Sequence, residues 1–545
     1  MNSEFEPKLI SVFAEGYSLP RLKADAIAGL TVAIVALPLS MAIAIASGVT
    51  PDRGLFTAII GGFLVSLLGG SRHQIGGPAG AFIVLVAATV ATHGVEGLLL
   101  ATAMAGFFLM LAGLLRLGDY VKFIPYPVTV GFTAGIAVII FSSQITELLG
   151  LTLPGREPGP LIEKLPVLIE AFPTLNVAAA AVAFLTIATI LILRRFRPSW
   201  PGLLIAVCLA SLVTALLDLP VATIGTRFGG IPRSLPVPHL PSLSPELARA
   251  VLPDAIAFAL LGAIESLLSA VVADGMTGRR HRSNIELIGQ GVANIGSALF
   301  GGICVTGTIA RTATNVRAGG TSPISGMLHA VFLLVFMAAA APLASYIPLA
   351  ALAGVLAIVS WNMVERPAFA ALLRSSLGDA VVLLVTFLLV VFRDLTEGII
   401  VGFTLGALLF INRMSKSVTI VPHEEETEHP LDNSDASTVV YRIGGAFFFG
   451  AAATVGSVLD RIADRYQNFV LDCSAVSFMD STAANVIAGT IRKAERAGVR
   501  VFIVGANPDF RRLLETHEVR SPQVDYVPNI RTARALIREA AAPVA

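Results

Sequence analysis

Two ionisable side chains lie deep in apolar sequence: Glu265, in ALLGAIESLLSAVVADG, and Arg311, in GGICVTGTIARTATNVRAGG (Gly301 to Gly320). A carboxyl in the middle of a membrane helix costs about 2.5–3.5 kcal/mol on insertion scales when charged, so it reads as functional by default. Ser269 follows one turn later on the same face. Burial and a nearby Arg311 would pull the proton affinity of Glu265 in opposite directions, which leaves a carboxyl able to take up and release protons. The alternative is a permanent Glu265–Arg311 ion pair that only locks two parts of the chain together. Arg311 is thus either the counter-charge of an anion or the partner of Glu265, and the two fit as states of one cycle.

The segment carrying Arg311 is too polar and too short for an ordinary membrane helix. Thr308 to Arg317 would span roughly 15 Å, about half of a ~30 Å hydrocarbon core. Thr306 and Gly307 suit a helix start, and Gly319 and Gly320 a stop. A helix that starts in mid-membrane presents unpaired N–H groups and the positive end of its dipole. Thr308, Arg311, Thr312 and Asn315 share one face. The arrangement suits an anion. A second such start is GGPAGAF, Gly76 to Phe82, with Pro78 at the expected first helical position and Gly77, Ala79 and Gly80 around it. Its glycines allow close approach by a backbone or a ligand.

The elements that position these groups are membrane helices. Of 545 residues, 55% are hydrophobic and 14% charged, against ~25% charged in soluble domains. Apolar segments fall at about 24–46, 54–69, 78–92, 95–117, 123–149, 175–193, 200–217, 250–274, 285–301, 308–317, 323–341, 348–363, 378–392 and 395–412. Fourteen crossings put both termini on one side. That side collects roughly sixteen basic residues against about seven opposite, which places the termini in the cytoplasm. DAIAGL at Asp25 and DAIAFAL at Asp254 are offset by 229 residues, and Ser40 aligns with Ser269 at the same offset. Seven segments per half is odd, so this is the trace of an inverted repeat with its site between the two short helices.

Other polar residues have plainer readings. Glu147, Glu286, Asn294, Asp379, Asp394 and Glu397 read as helix caps and ion-pair partners. His73 and His93 read as interfacial, and Tyr346 and Trp361 as interfacial anchors. Cys208, Cys304 and Cys473 lack metal-ligand spacing, so neither metal nor disulfide is expected, and no cofactor motif is present.

Residues 1–23 form a cytoplasmic lead-in, 24–416 the membrane domain and 417–436 an acidic linker containing HEEETEHPLDNSDAS. Residues 437–545 alternate strand and helix patterns, as a small α/β domain with parallel pairing does. There Asp480 suits a helix N-cap, and Ser481 beside it is either a phosphate acceptor or only part of a good cap.

These residues carry a resemblance. DAIAGLTVAIVALPLSMAIA, GGPAGAF, FIPYPVTVGFTAGIAVII, the Glu265 segment, TGTIARTATNVRAGG and DLTEGIIVGF resemble the sulfate permease (SulP) anion transporters; FFFGAA and LDCSAVSFMDSTA resemble their C-terminal STAS domain. The resemblance implies a seven-plus-seven inverted-repeat fold with core and gate domains, elevator-like motion, and homodimers held through STAS and membrane contacts. It places the anion between Ala79–Gly80 and Thr308–Arg311, and makes Glu265 the coupling carboxylate. Leu39 stands where the family often has Gln or Glu, so one side-chain contact is lost. Glu265 with Ile309 lacks the oxygen set of the sodium-dependent bicarbonate branch, which favours protons over sodium. PYPVTVGFTAGIAV and ARTATNVRAGGTSPIS look similar to a proteobacterial branch that carries four-carbon dicarboxylates. The expectation is a bacterial inner-membrane transporter coupling protons to uptake of sulfate or a dicarboxylate. An anion exchanger or channel, or a sensor signalling through STAS to a cytoplasmic protein, are the alternatives. Nothing in the sequence points to an enzyme or to nucleic acid.

Overall fold

The computed structural model describes residues 5–155, 158, 161–198, 200–393, 395–422, 437–462 and 466–541. The chain divides into two compact units, one ending at Phe403 and the other starting at Thr404.

The fourteen expected segments are helical, the last of them, Leu395–Ser415, running from the first unit into the second. The first long helix is Leu19–Ala46, followed by Pro51–Leu68. Next, Gly80–Leu114 is broken into two arms at Gly94, whose φ of 69° few other residues adopt. Then come Tyr126–Leu149, Val177–Phe196 and Gly202–Leu216. The second half repeats the order with Pro245–Thr277, Ser283–Leu299, the short Ile309–Arg317, Ile324–Ala344, Leu349–Met363, Leu377–Phe392 and Leu395–Ser415. Among the described residues, nine helices are long and apolar enough to cross a membrane. Val177–Phe196 exposes Phe184, Leu191 and Ile192, as a helix facing hydrocarbon does.

Helices that the apolar pattern did not indicate lie at Lys8–Ala14, Leu161–Ala171 and Arg366–Ser375. They are amphipathic or short, so no long apolar run marks them. The lead-in is tied to the membrane unit: Lys8 N–H donates to the Gly69 carbonyl (3.0 Å), Arg282 donates to the Glu6 carbonyl (2.6 Å), and Glu15 pairs with Arg72.

Contacts confirm the repeat. β1 (Gly76–Gly77) pairs antiparallel with β2 (Thr306–Gly307), joining corresponding points of the two halves. Asp25 holds the start of the Ile324–Ala344 helix by accepting from Thr321 N (2.6 Å), Ser322 N (3.2 Å) and both hydroxyls, as well as from Tyr17. Its counterpart Asp254 stands 3.7 Å from His93, at the break in Gly80–Leu114. Arg53 and Arg282 share the 229-residue offset and do matched work. Arg53 donates to the Gly301 carbonyl (2.6 Å), while Arg282 N–H donates to the Gly70 carbonyl (3.0 Å). Each stitches the loop that leads to a half-helix. Helix pairs approach closely where side chains vanish. A methyl at Gly106 would lie 2.5 Å from the Gly291 carbonyl, and one at Gly291 2.5 Å from the Gly106 carbonyl.

The second unit is a five-stranded sheet in the order β3 (Thr419–Pro422), β4 (Thr438–Phe447), β5 (Asn468–Met479), β6 (Arg500–Val504) and β7 (Val524–Val527). β4 to β7 are parallel, as expected, and β3 joins β4 antiparallel. Thr419–Pro422 is therefore sheet and not linker: its three β-branched residues pair with the edge of β4. The rest of the expected linker, from 423, and Asp394 lie outside the described residues. Buried Phe469, Leu471, Ile487, Ile491 and Ile503 pack the helices onto the sheet. Asp480 caps Ser481–Arg496 through a 2.8 Å bond from Ala483 N, and Ser481 is exposed.

Candidate anion site

The two short helices meet as the pattern required, but their starts differ in detail. Thr306 and Gly307 are strand, and the helix begins at Ile309 with Thr308 as its extended N-cap. In the first half, Pro78 is not the first helical residue. Ala79 takes the N-cap position, Gly80–Phe82 form a 3₁₀ turn, and the α-helix runs from Ile83. The physical reason is the β1–β2 bridge, which holds the residues before each helix extended. Ala79 and Thr308 are thus equivalent at the 229-residue offset, with φ of −112° and −109°.

Neither N-cap side chain caps its helix. Alanine has no acceptor, and the Thr308 hydroxyl lies 3.4 Å from the Ile75 carbonyl instead. Elsewhere in the chain Asn176, Ser244 and Asn507 do cap theirs. Among the described residues, then, no N-cap side chain takes the first N–H groups of the two half-helices, which lie at the positive ends of their dipoles.

Arg311 stands between them, 2% exposed. Its Nη2 donates to Ser40 Oγ (3.1 Å) and to the Pro78 carbonyl (3.3 Å), so it touches the first half's helix and half-helix start from the second. Its Nε and Nη1 have no partner among the described residues. Gly77 makes room for it: a Cβ there would lie 1.8 Å from Nη1. Ser269, on the Pro245–Thr277 helix, donates to Thr312 Oγ1 (3.0 Å), which accepts from Ile75 N (3.1 Å). Thr312 thus ties the Arg311 helix to the loop of the other half, and Ser269 orients its hydroxyl. Phe82 packs edge-on against Phe258 (6.0 Å between centroids), holding the Glu265 helix to the first half-helix. At the rim, the Cβ position of Gly80 lies 3.1 Å from Ile140 Cδ1 and 3.8 Å from Met363 Sδ.

Glu265 is buried at 7% exposure and does not face lipid. It is paired with nothing among the described residues; the ion pair with Arg311, one of the two sequence readings, is not formed, because Arg311 is turned to Ser40 and Pro78. Among the described residues the site therefore holds a guanidinium with no carboxylate beside it and a buried carboxyl with no basic partner. Both come from the second half: at the same offset the first half has Phe82 and Ala36.

Three polar residues depart from their plain readings. Glu286 is fully buried and accepts from Gly70 N (2.7 Å), Ser71 N (3.0 Å), Gln74 Nε2 (2.7 Å) and Gln290 Nε2 (2.9 Å). Four donors from two halves make it the anchor of the loop before β1. Asn294 grips Val305 through both backbone groups, at 3.0 and 2.8 Å. His73 is buried and its carbonyl accepts from Asn315 (2.9 Å). Glu147 pairs with Arg227 and Glu397 with Arg393, as read. Two clefts open elsewhere in the membrane unit, and neither is lined by Arg311 or Glu265.

Ser40 was visible in the sequence only as the repeat partner of Ser269; its contact to Arg311 was not. His329, buried with neither ring nitrogen bonded among the described residues, carried no signal of spacing or motif.

The sulfate permease family matches residues 22–386, and the STAS domain matches residues 429–524. The putative sulfate transporter YvdB of Bacillus subtilis is 42% identical over 505 residues, which cover 92% of this chain and 94% of that protein. The bicarbonate transporter BicA of Picosynechococcus is 32% identical over 520 residues, covering 91% and 90%. The inward-facing structure of the murine Slc26a9 anion transporter has a TM-score of 0.85 at 17% identity, covering 97% of this chain and 93% of that one. At that identity the likeness is one of fold.

Proposed function

This chain belongs to the sulfate permease family, as a multi-pass membrane anion transporter with a C-terminal STAS domain, and we propose that it couples protons to uptake of a small dianion, sulfate or a four-carbon dicarboxylate. One observation carries the reading: a buried arginine, with two nitrogens that have no partner among the described residues, lies between two helix starts without side-chain caps, and the buried Glu265 stands on the neighbouring helix. The anion would take hydrogen bonds from Arg311 and from the N–H groups after Ala79 and Thr308, with Gly77, Gly80 and Ser269 shaping and fixing the pocket. Similarity to a putative sulfate transporter at 42% identity favours sulfate.

Charge arithmetic supports coupling. A dianion entering an inside-negative cell faces ~4.6 kcal/mol per 100 mV, and two protons cancel that cost. Glu265 is the group suited to carry one of them. The β1–β2 bridge ties the half-helices together, so access to the site changes more readily by sliding this bundle past the helices bearing Ile140 and Met363 than by parting the half-helices. That supports an elevator-like cycle. In this reading both termini are cytoplasmic in a bacterial inner membrane, two copies associate through STAS and membrane contacts, and the exposed Ser481 is a candidate phosphate acceptor.

In proteoliposomes, an inward proton gradient should drive accumulation of labelled sulfate or succinate, and Glu265→Gln should leave only downhill exchange. Accumulation driven by sodium alone, with no response to the proton gradient, would overturn the coupling. The bicarbonate transporter among the relatives supports a second reading, anion exchange, for which uptake would instead require a counter-anion inside the vesicle.

A further inference from the structure

Of the two clefts away from Arg311, one is an apolar crevice with a volume of about 410 Å³, within the ~300–1,000 Å³ of ordinary ligand sites. The Gly202–Leu216 helix forms one wall, through Leu204, Val207 and Ala215. Pro38 and Met41 of Leu19–Ala46 face it, together with Phe336 and Ala340 of Ile324–Ala344. The floor is buried, at Pro38, Met41 and Val207, while Leu212, Leu343 and Tyr346 stand exposed at the rim. The crevice thus reaches into the packed interior and is not a shallow dent in a lipid-facing surface.

Its chemistry selects an apolar occupant. The Ser211 hydroxyl in its wall is spent on the Val207 carbonyl of the same helix (2.8 Å), and an ordered water needs two to four polar partners. The three helices that form the crevice are apolar, so its rim opens on hydrocarbon. Its length selects the kind of apolar molecule. At ~1.5 Å per residue the wall from Leu204 to Ala215 runs roughly 17 Å, about the depth of one leaflet of a ~30 Å hydrocarbon core. Tyr346 lies at the rim beyond the end of Ile324–Ala344, and an amphipathic ring belongs at the level of the headgroups. A lipid chain entering beside Tyr346 would therefore run inward to Pro38.

The two walls belong to different parts of the membrane unit. Ala183, Ala210 and Ala351 share one buried cluster, so Gly202–Leu216 packs with Val177–Phe196 and with Leu349–Met363, the helix that bears Met363. On the opposite wall, Ser40 stands between Pro38 and Met41 and accepts from Arg311 (3.1 Å). The crevice thus follows the boundary across which the anion-binding bundle would slide. We propose that it binds one acyl chain of a bilayer phospholipid, and that the bound chain holds the two walls in their present arrangement and slows transport. A molecule that touches both walls in one arrangement alone shifts the population toward it. The binding stands on the shape and lining of the crevice; the control of transport rests on the elevator-like reading.

Native mass spectrometry of the full-length protein, extracted from phosphatidylglycerol–phosphatidylethanolamine vesicles in mild detergent, tests the binding. Wild type should retain a phospholipid that Ser211→Phe and Ala215→Phe, which fill the crevice from one wall, lose at an unchanged melting temperature. Cys208 gives the second arm. It lines the crevice and is exposed, whereas Cys304 and Cys473 are buried, so an alkyl methanethiosulfonate reaches it selectively. In proteoliposomes a dodecyl chain on Cys208 should slow uptake of labelled sulfate about five-fold or more, the lower end of ordinary coupling between two sites. A methyl group there should not, and Cys208→Ala should respond to neither reagent. Equal lipid retention by wild type and both filled variants overturns the proposal, as does an equal effect of methyl and dodecyl. Retention lost in the variants, with uptake indifferent to the dodecyl chain, supports the binding and overturns the control of transport. Absence of uptake by untreated wild type overturns the transport reading, and the retention comparison still decides the site.

Discussion

At the scale of single residues, the site depends on what is missing from Gly77 as much as on what Arg311 supplies. Any Cβ at Gly77 occupies the place of Nη1. Gly77→Ala should push the guanidinium out of the line between the two helix starts and lower transport on the order of ten-fold or more, since misplacing one group by an ångström can cost a hundred-fold. The far end of a flexible side chain can move aside, so the melting temperature should shift by no more than about 5 °C. Radiolabelled uptake and thermal unfolding of the same preparation check the pair of outcomes. Equal loss of both would mean that Gly77 matters for packing alone. Arg311, Glu265 and Ser269 were legible in the sequence, because an ionisable residue in an apolar run has few bland explanations. Their partnerships were not. Ser40 and Pro78 meet Arg311 from more than two hundred residues away, and no periodicity encodes such a contact.

At the scale of elements, the loop and strand before the first half-helix are held from the other half by Glu286. Removing that carboxylate leaves Gly70 N, Ser71 N, Gln74 Nε2 and Gln290 Nε2 buried without an acceptor. Glu286→Ala should therefore destabilise the membrane unit by at least about 3 kcal/mol. Glu286→Gln, which keeps one oxygen, should cost less. Glu265→Gln should cost almost nothing in stability, having no protein partner to lose, and should abolish coupling instead. Thermal unfolding in detergent separates the two glutamates, and matching losses would contradict their assignment to different roles. In sequence both are lone acids near or within apolar runs, and Glu286 looked like an ordinary helix-end residue. The helices themselves were legible from length and hydropathy, down to the break at Gly94. The strand bridge was not: two residues are too few for an alternation, and they displaced both expected helix starts by one or two positions.

At the scale of the whole molecule, two compact units built on separate cores should unfold in two transitions. The C-terminal α/β unit carries a buried acid on β5. Burial pushes the Asp472 carboxyl up, but bonds from Ser474 (N 2.9 Å, Oγ 2.5 Å) and Arg442 (2.7 Å) outweigh it, and the group sits below its ordinary value. An unfolded aspartate titrates near ~3.9. The stabilisation from Asp472 is therefore complete above that pH and disappears as pH falls through the lower folded value. The transition of the C-terminal α/β unit should move to lower temperature below about pH 4. Asp472→Asn should weaken that acid dependence and destabilise by about 1–3 kcal/mol at pH 7. Calorimetric scans at several pH values read both effects; an acid shift of equal size in Asp472→Asn would assign it to other groups. The repeat that organises the membrane unit was legible as a 229-residue offset, and its extension to Arg53–Arg282 and Ala79–Thr308 became visible only with contacts in place.

The central claim is that the anion sits between the two helix starts with Arg311 as its counter-charge. A structure of the protein with selenate bound, located by its anomalous signal, tests it most directly. The account predicts one selenium peak within hydrogen-bonding distance of an Arg311 nitrogen and of backbone N–H groups after both Ala79 and Thr308. A peak elsewhere, with Arg311 still bonded only to Ser40 and Pro78, would contradict it.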